Sequence, residues 1–147
     1  MIRITLKQIR EELPGYEKRQ IKSPSLAVEV LHKYIDGSDR EMMVVLCLNT
    51  KNHINAINTV SVGTLNSSLL HPREIFKPAI LSNSASIILG HNHPSGITDP
   101  SDNDIRVTRR VAEAGEIMGI SLLDHIIIGG DGNYTSLKEK GLVDTGN

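Results

Sequence analysis

The chain predicts an α+β (α/β) domain built on a mixed β-sheet flanked by helices. Apolar runs of strand length alternate with segments of helical period along most of its length. Two strand-like runs are joined by a short turn and read as a hairpin. The remaining strand-like runs are separated by helical segments, as layered architectures require. At 147 residues the chain is most simply one domain, long enough to bury a core of its own. Residues 1–22 are expected to form an N-terminal extension, with residues 2–12 ambiguous and ended by Leu13-Pro14-Gly15, and residues 23–147 the single domain.

Ser23-Pro24 starts the first helix, with Leu26, Val30, Leu31 and Tyr34 on its buried side and Asp36-Gly37 as its stop. Strands are expected at 42–49 and 53–62 around a turn at Asn49-Thr50-Lys51-Asn52. A helix runs from Pro72 to about Leu81, strained or kinked by Pro78. A buried strand follows at 85–91. Ser101, Asp102 and Asp104 supply N-terminal helix signals for a helix over 101–118, and Gly119 supplies its stop. Its apolar stripe reads Val107, Val111, Ala114 and Met118. Strands at 121–128 and 133–136 and a short terminal helix complete the chain. There is no internal repeat.

Composition narrows the function classes. A net charge of −1 gives no general polyanion binder. One cysteine excludes a disulfide framework and a zinc ribbon, and Cys47 falls within an apolar strand pattern as a small buried residue. A zinc deaminase would need paired cysteines and H-x-E. With no Trp, one Phe and three Tyr there is no stacking platform for single-stranded nucleic acid. No run reaches transmembrane length and no signal-peptide hydrophobic region opens the chain, so a cytoplasmic location without membrane contact is the default expectation.

The chemistry concentrates in His91-Asn92-His93-Pro94-Ser95-Gly96 with Ser101 and Asp104, the pattern H-x-H-x7-S-x2-D. Side chains two apart on a strand share a face, so His91 and His93 converge on one ion if the strand persists to His93. Asp104 lies one turn before Val107 on the buried stripe of the following helix and should point inward. Two imidazoles and one carboxylate leave the fourth position of a tetrahedral zinc site open, as a hydrolytic site requires. The plainer alternative is a capping box of Ser101 and Asp104, with strand-end histidines that are merely hydrogen-bonded. The letters HNH at 91–93 are unrelated to the nuclease signature, whose residues are spread over a longer segment.

H-x-H-x7-S-x2-D resembles the metal signature of the JAMM (MPN+) metallopeptidases. Arg73-Glu74-Ile75-Phe76, His91 through Gly96, Pro100-Ser101, Asp104 and Asp124-His125-Ile126-Ile127-Ile128-Gly129 resemble the RadC branch of that family, from about Ser23 to about Val143. The resemblance implies the JAMM/MPN-like fold and a Zn2+-dependent hydrolase of peptide or isopeptide bonds. RadC proteins also carry an N-terminal helix-hairpin-helix-like region, and too few residues precede Ser23 to hold one, so the expectation is the catalytic-type domain alone. The family pattern further calls for a Glu at the first central strand. Glu41 matches it, and an acid at a strand end can reach a site on the neighbouring strand; the alternative is a solvated acid beside Arg40.

These elements combine into one mechanism. With the resemblance, His91, His93 and Asp104 are expected to hold zinc, Glu41 to act as general base, and Ser101 to stabilise the oxyanion. The expected partner is a peptide or protein substrate, and homo-oligomerisation is left open. The competing readings are a DNA-repair or DNA-metabolism accessory protein of RadC type and a metal-binding scaffold without turnover. Arg106, Arg109 and Arg110 cluster on the long helix, but Glu113 and Glu116 partly balance them. Duplex DNA binding is therefore expected to be weak and to vanish with added salt, which a salt titration reads directly. Asp124 and His125 interrupt an apolar strand and need partners, either behind the metal histidines or in an ordinary structural bond. His32, His53 and His71 lack metal spacing and are read as surface or turn residues.

Overall fold

A computed structural model describes residues 1–5, 19–35, 37–63 and 70–143. The Leu13-Pro14-Gly15 break and Asp36 lie outside these residues. In chain order the elements are helix α1 (Pro24–Ile35), strands β1 (Met42–Leu48) and β2 (Ile54–Val62), helix α2 (Pro72–Leu81), strand β3 (Ser86–Asn92), helix α3 (Asp102–Met118), and strands β4 (Ser121–Ile128) and β5 (Tyr134–Ser136). The strands form a five-stranded sheet in the order β2-β1-β3-β4-β5. β1 runs antiparallel to β2 and β3, β3 parallel to β4, and β4 antiparallel to β5. This is the mixed sheet of an α+β fold. The parallel pair is the one whose connection contains α3, because parallel strands need a crossover.

Helices cover both faces of the sheet. Ala27, Val28, Leu31 and Ile35 of α1 pack on Val44, Leu46, Leu48, Ile88, Ile126 and Ile128. On the opposite face, Ile75, Phe76 and Ala79 of α2 and Val107 and Val111 of α3 pack on Met43, Val45, Cys47, Ile87, Leu89 and Ile127. Strands buried on both faces read as continuous apolar runs, which explains Met43 through Leu48. Cys47 is fully buried, and burial pushes its thiol up to about 11 despite hydrogen bonds from Ser82 and Ser84, so it stays protonated at neutral pH. Leu122 and His125 are three apart yet pair with Ile87 and Leu89, which share a face of β3. An irregularity at Leu123 makes this register fit.

Three expectations are corrected here. The buried face of α3 runs Asp104, Val107, Thr108, Val111 and Gly115, while Met118 is 43% exposed and Ala114 half-buried. At Gly115 an added Cβ would stand 2.4 Å from the Ile120 carbonyl oxygen and 3.2 Å from the Phe76 ring. The helix therefore meets α2 and the segment leading into β4 through a glycine, and Ile117 and Met118 of its last turn are exposed. The expected terminal helix is instead a set of turns over 137–141. It closes on hydrogen bonds from the Gly141 and Leu142 amides to the carbonyls of Lys138 and Leu137. His53 and His71 do lie at a bridge and at the α2 N-cap, but His32 lies within α1, its Nε2 buried and without a hydrogen-bond partner.

The C-terminal end of β3, the N-terminus of α3 and the start of β1 meet at one end of the sheet. Crevices beyond the carboxyl ends of parallel strands are where α/β sheets commonly place ligands.

Candidate metal centre

The strand geometry delivers both histidines to one point. β3 runs through Asn92, and His93 follows with its amide donating to the Ile128 carbonyl at 3.0 Å. The two Nε2 atoms are 2.9 Å apart. Asp104 comes from the first turn of α3 and is 2% exposed, as its place on the stripe predicts. Its Oδ1 is 3.2 Å from His91 Nε2 and its Oδ2 is 3.3 Å from His93 Nε2. Glu41, immediately before β1, reaches the same histidines. One ligand atom from each of Glu41, His91 and His93 lies within 4.8 Å of the others. The histidine pair is thus approached by two carboxylates, Asp104 and Glu41.

The capping box also forms. The Ser101 hydroxyl accepts the Asp104 amide at 3.1 Å, and the Ser101 amide donates to Asp104 Oδ2 at 2.8 Å. The plainer expectation for these residues is therefore met, and it serves the site, because the box fixes the rotamer that aims Asp104 inward. Ser101 itself is exposed at the head of α3. Burial opposes the charge on Asp104, but the hydrogen bond and charge of His91 in its protonated form, with the bonds from Ser101, outweigh it and hold the carboxyl well below the usual carboxylate range.

Hydrogen bonds behind the histidines decide where their protons sit. Thr108 Oγ1 donates to the Asp104 carbonyl at 2.7 Å, and that single hydroxyl proton is then spent. Toward His125 Nδ1, 2.6 Å away, Thr108 must accept, so His125 carries its proton on Nδ1. Burial, then the neighbouring His91, push the His125 imidazole well below its usual range, so it is neutral and its Nε2 is bare. His91 Nδ1, 2.7 Å from that nitrogen, must therefore be the donor. His93 Nδ1 donates to the Ile97 carbonyl at 2.7 Å. In their neutral forms both ligand histidines turn an unprotonated Nε2 to the Asp104 carboxylate. Lone pairs converging without a donor between them suit a cation. The residues present fit a divalent metal.

His125 thus supports His91 from behind, whereas Asp124 does not approach the site. Asp124 Oδ2 accepts from Ser136 Oγ at 2.6 Å, and its Oδ1 accepts the Lys138 amide at 3.0 Å, tying β4 to the segment after β5. Burial raises its pKa, and these hydrogen bonds offset part of the rise. The loop bearing the Ile97 carbonyl is held against the end of β4 and against β5. At Gly129 an added Cβ would lie 2.6 Å from the Gly96 carbonyl oxygen, and Thr135 Oγ1 donates to Thr98 Oγ1 at 2.9 Å. Thr108 and Asn92 were not singled out from sequence. The available signal for Thr108 was a hydroxyl one turn beyond Asp104 on the buried face.

Thr108→Val keeps the volume but removes the hydroxyl that fixes His125. Outer partners of metal histidines are worth about 10–100-fold in affinity. The expected result is a loss of that size in zinc affinity with the fold intact, measured by competition with a chelating dye. Unchanged affinity would remove Thr108 from the supporting chain.

A mixed sheet between two helical layers, with a His-His-carboxylate cluster at the β3–α3 junction, defines a JAB-like domain, a hydrolase-related superfamily, with a group that could bind a metal ion. The RadC-like JAB domain model matches residues 21–142, and the chain belongs to that family. A UPF0758 protein of Moorella thermoacetica is 60% identical over 123 residues, covering 84% of this chain and 53% of its own length. One from Desulforamulus reducens is 51% identical over 131 residues, covering 89% of this chain and 57% of its own. One from Methanosarcina barkeri is 47% identical over 126 residues, covering 86% and 55%. The chain therefore spans about half the length of the curated relatives it matches. Among the described residues no helix is long and apolar enough to cross a membrane.

Proposed function

We propose that this domain is a zinc-dependent hydrolase of peptide or isopeptide bonds. The observation that carries the reading is the convergence of the two histidine Nε2 atoms and the buried Asp104 carboxylate, with Glu41 beside the same histidines. His91, His93 and Asp104 would hold the ion. A bound zinc ion polarises its water and lowers that water's pKa to about 7. Glu41, half-buried at the start of β1, takes the water's proton and returns it to the leaving amine. Ser101, exposed at the head of α3, donates its hydroxyl to the oxyanion of the tetrahedral intermediate. Asp104 supplies the ligand charge, which the capping box keeps in place.

Two arguments favour Asp104 over Glu41 as the third ligand. Asp104 places one oxygen near each histidine, at 3.2 and 3.3 Å. Asp104 is also almost fully buried, and a buried carboxylate needs a cationic partner. The deciding experiment incubates the zinc-loaded protein with a peptide and isopeptide library, with and without a chelator. Cleavage that the chelator abolishes and zinc restores is expected. A metal-loaded protein that cleaves nothing would leave a binding scaffold.

A further inference from the structure

Asn92 lies between the two histidines, and strand alternation sends its side chain to the opposite face. It is 8% exposed, and both ends of its amide are used. Oδ1 accepts the Met42 amide at 2.7 Å, and Nδ2 donates to the Arg40 carbonyl at 2.9 Å. Those groups flank Glu41 on either side.

The register of β1 on β3 ends at Met43 opposite His91. Just beyond that point, the side-chain amide takes up one main-chain donor and one main-chain acceptor of the β1 approach. From the other side, the Glu41 carbonyl accepts the Gly63 amide at 2.8 Å. The main chain at Glu41 is thus gripped by β3 through a side chain and by the end of β2 through its backbone. Neither grip restricts Met43 onward, where the strand ladder already suffices.

We propose that Asn92 is a positioning residue: its amide fixes the main chain around Glu41 and so holds the Glu41 carboxylate against the His91–His93 pair. This rests on Glu41 being the general base. Asn92 faces away from the histidines and touches no reacting atom. Positioning errors of about 1 Å can cost about 10²-fold in rate, and a residue at a strand entry is where such an error would arise.

The test uses two variants of the full chain. Asn92→Leu keeps much of the volume and deletes both hydrogen bonds. Asn92→Asp keeps the size and the acceptor and loses the amide donor. Both should retain zinc, because the ligands are untouched, and kcat should fall by about 10–100-fold for Asn92→Leu with KM nearly unchanged. The Asn92→Leu/Glu41→Gln double variant should be no slower than Glu41→Gln alone, because a residue acting through Glu41 adds nothing once the base is gone. Wild-type kcat in the single variant, or a further loss in the double variant, would overturn the proposal. If Asn92→Leu does not fold, Asn92→Asp carries the same comparison. If the zinc-loaded wild type cleaves nothing, the base assignment fails separately. A crystal structure of the Asn92 variant then decides the clamp: a displaced Glu41 supports it, and a superimposable Glu41 overturns it.

Discussion

Replacing His91 and His93 together by Ala is expected to abolish zinc binding, while the native chain carries about one ion, by the count of convergent ligands. The two positions differ in what else they disturb. His91 is fully buried and donates to His125, so its removal leaves His125 Nε2 buried and unpaired. An orphaned buried acceptor costs about 1–3 kcal/mol. The His93 side chain is 14% exposed and donates to a loop carbonyl, so His93→Ala is the gentler variant and separates metal loss from destabilisation. Asp104→Asn should weaken binding, through loss of the ligand charge. Elemental analysis showing full occupancy in the double histidine variant would refute the ligand assignment.

Glu41→Gln should keep the metal and lower hydrolysis by about 10²–10⁴-fold, the usual contribution of a positioned base. Gln has nearly the shape of Glu but cannot accept a proton at neutral pH. The measurement needs two readouts, zinc content and rate, because Glu41 also lies within ligand distance of the histidines. Loss of both would make Glu41 the ligand and Asp104 an outer partner. Retained activity would make it a bystander and leave the metal site standing. Ser101→Ala, by contrast, removes a helix cap worth about 0.5–2 kcal/mol in any case. A rate change there must be corrected for stability before it is assigned to the oxyanion.

The elements that local chemistry specifies were legible in the sequence. Ser101 as N-cap and Gly119 as C-cap bound α3, and Gly119 takes the left-handed conformation that such a stop needs. Strand period put His91 and His93 on one face and helix period turned Asp104 inward, while their grouping as one ligand set came with the family resemblance. Residues whose role depends on distant partners were not legible. Asn92 acts on residues fifty positions away, and Thr108 on a histidine seventeen positions away. The buried face of α3 was misplaced at its end because Gly115, a weak apolar signal, is the residue that makes the contact. Leu137 to Gly141 has helix-favouring composition, but its carbonyls are taken up in turns before a helix can propagate.

The double burial of β1 raises a problem of its own. Met43, Val45 and Cys47 face one helical layer, and Val44, Leu46 and Leu48 face the other. Both sets are aliphatic or nearly so, so a shift of one residue would exchange one oily set for another at little hydrophobic cost. Alternation normally forbids such a slip, because it would turn polar residues inward. Here it supplies almost no discrimination. Other features must act as the key. At Gly90, opposite Val44, an added Cβ would sit 2.4 Å from a Leu31 methyl, so α1 closes into a notch found at one place on β3. Two positions along, the Asn92 amide matches one donor and one acceptor of the β1 approach. The apolar residues supply cohesion without choosing an alignment. A missing side chain and a single amide choose it, and they flank the histidine on which the centre is built.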